Sequence, residues 1–141
     1  MQRWIIAAGI LLVLLVGGGA FAYRTYRLSR PIHPVLLQFP VPAETSLDER
    51  DATAKAVGQK LRDPALLVRV SKDVGLKKKL RYATDEAAAS DLGKRLFVEA
   101  GEVDTAQGRK FAINIGLNCT VGEYNTMVEV SQHLNQVFKI P

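Results

Sequence analysis

Hydrophobic and polar positions divide this chain into two unlike parts. From Trp4 to Tyr23 the sequence WIIAAGILLVLLVGGGAFAY carries no charge over twenty positions. A helix rises ~1.5 Å per residue, so a run of that length reaches about 30 Å, the thickness of a hydrocarbon core. The run predicts a transmembrane anchor over residues 1–26, with Trp4, Tyr23, Arg24, Arg27 and Arg30 at the membrane interface. A cleaved signal peptide is the other reading, with Ala20-Phe21-Ala22 as its small-residue site. The three arginines that follow favour retention, since moving positive charge outward costs ~2.3 kcal/mol per charge per 100 mV.

After Arg27 the pattern changes to short periodic segments punctuated by proline and glycine. Residues 27–34 read as a linker stiffened by Pro31 and Pro34, and residues 35–141 as one α+β domain. Val35-Leu36-Leu37-Gln38-Phe39 is an apolar run closed by Pro40 and Pro42, which predicts a short strand. Ser46 and Glu49 have capping-box spacing and open a helix with Leu47, Ala54, Val57 and Leu61 on one face. Asp63-Pro64 starts a second helix carrying Leu66, Leu67, Val70 and Val74, and Gly75 is its left-handed stop. Thr84 caps a third helix, with Asp85 and Glu86 at its positive end and Lys94 and Arg95 at its negative end.

Phe97-Val98 begin another short strand, and Glu99 to Gly108 reads as a polar loop. Phe111, Ile113, Ile115 and Leu117 then alternate with Ala112, Asn114 and Gly116, the period of a strand with one apolar face and one partly wet face. Thr120 and Glu123 form a further capping box before a final helix with Tyr124, Met127, Val128, Leu134, Val137 and Phe138. The expected fold is α+β: one amino-terminal membrane helix, then about four helices packed on a short sheet of about three strands.

Charge alters this picture in one respect. The net charge of +5 arises mostly from Arg3, Arg24, Arg27 and Arg30, because residues 31–141 hold 15 Lys/Arg against 14 Asp/Glu. The domain itself is near neutral, so composition gives no basic face for nucleic acid. A literal count of flanking cations leaves the domain in the cytoplasm by about one charge. A domain of this length is also translocated despite such charge, and the reading adopted is a single-pass protein of the cell membrane with an extracytoplasmic domain.

Candidate chemistry is sparse. His33 and His133 lie far apart, and no HxxxH, CxxC or paired acidic motif supplies metal ligands. Neither a phosphate-binding glycine loop nor a nucleotide fingerprint occurs. Cys119 is the single cysteine, more at home in packing than as a nucleophile with His133. No catalytic residue, cofactor or metal is expected, and the chain reads as something other than an enzyme. Lys77, Lys78, Lys79 and Arg81 form the one charge cluster of the domain. It is either a solvated loop after a helix or a contact for anionic headgroups or an acidic polysaccharide.

The order of elements resembles the extracytoplasmic base domain of Wzz-type polysaccharide chain-length determinants, the polysaccharide co-polymerases. The resemblance rests on Asp63, Pro64, Leu66, Leu67, Val70 and Leu76, then Ala87, Leu92, Leu96 and Val98, then Ile113 and Ile115, and spans roughly residues 35–138. Members of that family also carry a long helical hairpin and a second membrane span, and neither pattern occurs in this sequence. The resemblance implies a single-span structural or interaction protein of the cell envelope, concerned with polysaccharide chain-length control or export. Its partners would be the bilayer and either copies of itself or a larger membrane complex. The alternative is an anchored binding module that grips an acidic glycan or lipid headgroup through the basic loop.

Overall fold

The computed structural model describes residues 17–106 and 108–138 of the protein. Residues 17–29 are helical (α1), and every residue of that helix is exposed. Among the described residues no helix is long and apolar enough to cross a membrane. This finding corrects the expectation of a transmembrane, single-pass, signal-anchored protein of the cell membrane. Within α1 the second half carries Arg24 and Arg27. Residues 4–16 of the apolar run, Trp4 included, lie outside the described residues.

The rest of the described chain is α+β, with two small antiparallel sheets. Strand β1 (Pro31–Ile32) pairs with β5 (Cys119–Thr120), and β2 (Val35–Pro40), β3 (Leu96–Thr105) and β4 (Gly108–Leu117) form a sheet in the order β2-β4-β3. Between β2 and β3 come α2 (Leu47–Leu61), α3 (Pro64–Val74), the single turn α4 (Leu76–Lys79) and α5 (Asp85–Arg95). A 3-10 turn at Val121–Glu123 leads into α6 (Tyr124–Phe138).

Local chemistry sets the helix ends where the sequence places them. The Ser46 hydroxyl accepts from the Glu49 amide, while the Glu49 carboxylate accepts from the Ser46 amide at 2.9 Å. Each side chain thereby satisfies a backbone donor that the first turn leaves free. The Asp63 carboxylate accepts from the Ala65 amide and the Thr84 hydroxyl from the Ala87 amide. Gly75 ends α3 at φ 71, a left-handed conformation in which a β-carbon would be strained.

The core lies on one face of the three-stranded sheet. Leu96, Ile113, Ile115 and Leu117 meet Leu67, Val70, Leu92, Met127, Val130 and Leu134 there. Leu47, expected on the buried face of α2, is instead 68% exposed; the buried stripe is Ala54, Gly58 and Leu61. Most of the expected polar loop, residues 99–105, is strand, and β3 and β4 pair as one long hairpin out to Thr105 and Gly108. Two of its acids, Glu102 and Asp104, reach Arg109 on the partner strand.

The second face of β4 is also drier than the alternation implies. Ala112 is 1% and Asn114 8% exposed. Phe97 lies against Gly116, and the Asn114 side chain occupies the space above Gly101. The Gln38 amide donates to Asn114 Oδ1 at 3.2 Å, so the buried polar group has a partner.

Candidate functional site

The basic loop sits where α3 gives way to α4. Gly75 reverses the chain, Leu76 is fully buried beneath it, and the lysines are left on the outside of a single turn. Lys77 and Lys78 point to solvent, whereas Lys79 is ion-paired with Glu129 of α6. Arg81 is exposed and has φ 59, a left-handed conformation that costs a non-glycine residue about 1–2 kcal/mol. Glu86 at the start of α5 has its carboxyl held below the usual range, first by its own backbone amide and the Thr84 hydroxyl, then by Lys72 and Lys77. Of the four expected anion contacts, Lys77, Lys78 and Arg81 remain turned outward.

Tyr23, Arg24, Arg27 and Arg30 all lie exposed on or just after α1. The same helix exposes Phe21 (74%), Tyr23 (67%), Tyr26 (75%) and Leu28 (42%). Phe21 and Leu28 are two turns apart and share a face, while Tyr23 and Tyr26, three apart, share another. The end of α1 is tied to the body, because Val121 donates to the Arg30 carbonyl and Leu28 packs over Gly122.

A charged cluster that sequence reasoning missed lies beside Cys119. Arg95 at the end of α5 donates to Asp91 one turn back, to Glu123 at 2.8 Å, and to the Tyr82 hydroxyl at 3.4 Å. The Tyr82 hydroxyl also donates to Asp91, and Glu123 accepts from the Thr120 amide at 2.9 Å. Burial opposes ionisation of Asp91, yet Tyr82 and Arg95 outweigh it and hold the carboxyl below the usual range. Glu123 follows the same balance, with burial overcome by Arg95 and the Thr120 amide. Burial, with the Glu123 charge nearby, pushes the Cys119 thiol up, which disfavours the thiolate a nucleophile needs. His133 Nε2 meets Asp73 at 3.0 Å, and His33 Nδ1 meets Asn118 Oδ1 at 2.7 Å. Neither histidine is hydrogen-bonded to Cys119. Among the described residues no group of three His, Cys, Asp or Glu side chains could hold a metal ion.

The other unanticipated feature is a groove of about 500 Å³ between α2 and the outer side of β3. Ala54 and Gly58 of α2 face Val98 and Ala100 of β3 across it, and Lys55 and Arg62 stand on its rim. One signal for it is visible in the sequence, the small residues Ala54 and Gly58 four apart in α2; the β3 wall falls partly in the stretch that reads as a polar loop. No family model, no curated protein and no solved structure matches this chain.

Proposed function

We propose that this chain is an association module, acting as an assembly component and not as a catalyst. The observation that supports it is α1, whose aromatic residues are two-thirds to three-quarters exposed while the α+β body has its own closed core. Three large aromatic side chains exposed on one short helix support reading it as an interaction site. Because Phe21 and the Tyr23/Tyr26 pair occupy different faces, one neighbour covers only part of the helix, and the reading calls for assemblies larger than a dimer. The near-neutral body adds little repulsion between copies. The order of helices and strands that resembles the co-polymerase base domain supports a role in assemblies related to polysaccharide chain-length control.

Sedimentation of the full chain over a range of concentrations tests this reading. Oligomers beyond the dimer are expected, lost in the double variant Phe21→Ser, Tyr26→Ser and kept when Lys77, Lys78 and Arg81 are changed to Glu. A chain that stays monomeric throughout, yet binds an acidic polysaccharide in a salt-sensitive way through Lys77, Lys78 and Arg81, would establish the binding-module alternative instead.

A further inference from the structure

We propose that the groove between α2 and β3 is a docking site for an extended peptide segment of another protein, which joins the sheet as a strand beside β3. The proposal concerns a surface separate from α1 and stands whether or not α1 drives self-association.

The backbone supplies the first argument. β3 ends the strand order β2-β4-β3 and is paired on one side only. In an antiparallel pair the polar groups of successive residues turn to opposite sides. The Arg95 carbonyl accepts from Asn118 N, which fixes the odd-numbered residues as those turned toward β4. Leu96, Val98, Ala100 and Glu102 therefore turn outward. The Leu96 carbonyl bears this out by accepting from Arg62 Nη2 at 2.8 Å, from the outer side. The N–H and C=O groups of Val98 and Ala100 are left as a template for another strand, with no partner among the described residues. The opposite edge is blunted, since β2 has a register irregularity between Val35 and Leu37 and ends at Pro40. β3 has no proline and no such irregularity.

The walls of the groove supply the second. Ala54 and Gly58 are small and buried, so α2 rests close against β3 at Val98, and the groove of about 500 Å³ lies beside this contact with Ala100 as the small side chain on its β3 wall. A β-carbon at Gly58 would sit 3.5 Å from Val98 Cβ, an ordinary contact, so steric collision does not require glycine there.

Charge sets the direction. Arg62 stands at the Leu96 end of the groove and Asp51 at the end beyond Ala100, with Lys55 between them on α2 and Glu99 lining the groove from β3. Arg62 uses one N–H on Leu96, and neither Arg62 nor Lys55 has a carboxylate partner among the described residues. A strand antiparallel to β3 runs toward the Arg62 end. The segment that fits therefore has a small apolar residue beside Ala100 and an acidic residue following it toward its carboxyl end. A basic residue near its amino end would meet Asp51.

The test is titration of the isotope-labelled full chain with a heptapeptide blocked at both ends, lysine first, valine at alternate inner positions and glutamate last. Binding is expected to slow hydrogen exchange of the Val98 and Ala100 amides at least tenfold. The Phe97 and Glu99 amides, already bonded to β4, should change little. Affinity should fall at least tenfold when alternate peptide amides are N-methylated and when the peptide glutamate becomes glutamine. Arg62→Lys should lose less than Arg62→Met. Lys55→Ala, a surface change that leaves the core intact, guards against misreading a folding defect and should weaken binding severalfold. The alpha-helix variant Phe21→Ser, Tyr26→Ser should bind normally. Failure of the peptide to slow Val98 and Ala100 exchange at millimolar concentration, or binding indifferent to N-methylation, would overturn the proposal.

Discussion

At Gly116 an added methyl group would have nowhere to go. A β-carbon there would collide with the Phe97 ring and with the Pro34 carbonyl oxygen. The ring can turn aside, but the oxygen belongs to the backbone of the chain entering β2. Gly116→Ala is therefore expected to destabilise by about 1–3 kcal/mol in urea unfolding, and adding Phe97→Leu should recover only part of the loss. Gly58→Ala is the contrasting case: it meets Val98 at an ordinary distance and should be neutral or stabilising by up to about 1 kcal/mol. The alternation of β4 placed Gly116 on a strand, and that much was legible. What it faces was not, because Pro34, just before β2, and Phe97 of β3 are distant in sequence and become neighbours only on folding. Asn114 teaches the same lesson, reading as half-wet in sequence and buried in the sheet once Gly101 makes room for its side chain.

Elements whose determinants are local were legible, and those that depend on a distant strand were not. Ser46 with Glu49, Asp63 with Pro64, Thr84, and Thr120 with Glu123 each act within a turn of themselves, and all four stand at helix starts in the structure. The outer half of β3 depends on something else. Glu99, Glu102 and Asp104 disfavour a strand by propensity, and cross-strand pairing with β4 overrides them. Arg109 contributes by meeting both Glu102 and Asp104, although its side chain is 75% exposed. Such exposed pairs are weak, typically under about 1 kcal/mol. Arg109→Ala is expected to lower global stability by less than that while speeding hydrogen exchange at Val103 and its neighbours near the turn. The amides of Ile113 and Ile115 should keep their protection. Their loss would mean that the tip of the hairpin unfolds together with the core.

For the whole molecule, the long apolar run was the plainest sequence signal and the least reliable guide, since composition alone does not show what a helix packs against. The determinants that join the body lie in less conspicuous residues. Arg95 links α5 to the turn before α6 through Glu123, and through Tyr82 and Asp91 it holds the segment between α4 and α5. Both carboxyls are depressed in the folded state, below the ordinary 3.8 of Asp91 and 4.5 of Glu123. The unfolded chain therefore takes up protons first as pH falls, and the stability these groups contribute is present above about pH 4.5 and lost as pH drops through their folded values. Unfolding by urea between pH 7 and pH 3 should show a midpoint that is steady near neutrality and declines below that range. Arg95→Met should lower the neutral plateau by about 1–3 kcal/mol, a figure reduced from that of a fully buried pair because the partners are partly exposed. It should also flatten or reverse the acid slope, since burial without the guanidinium raises the same carboxyls and makes their protonation favourable in the folded state. An Arg95→Met chain with the wild-type acid slope would assign the acid sensitivity to other carboxylates and leave this cluster with a packing role alone.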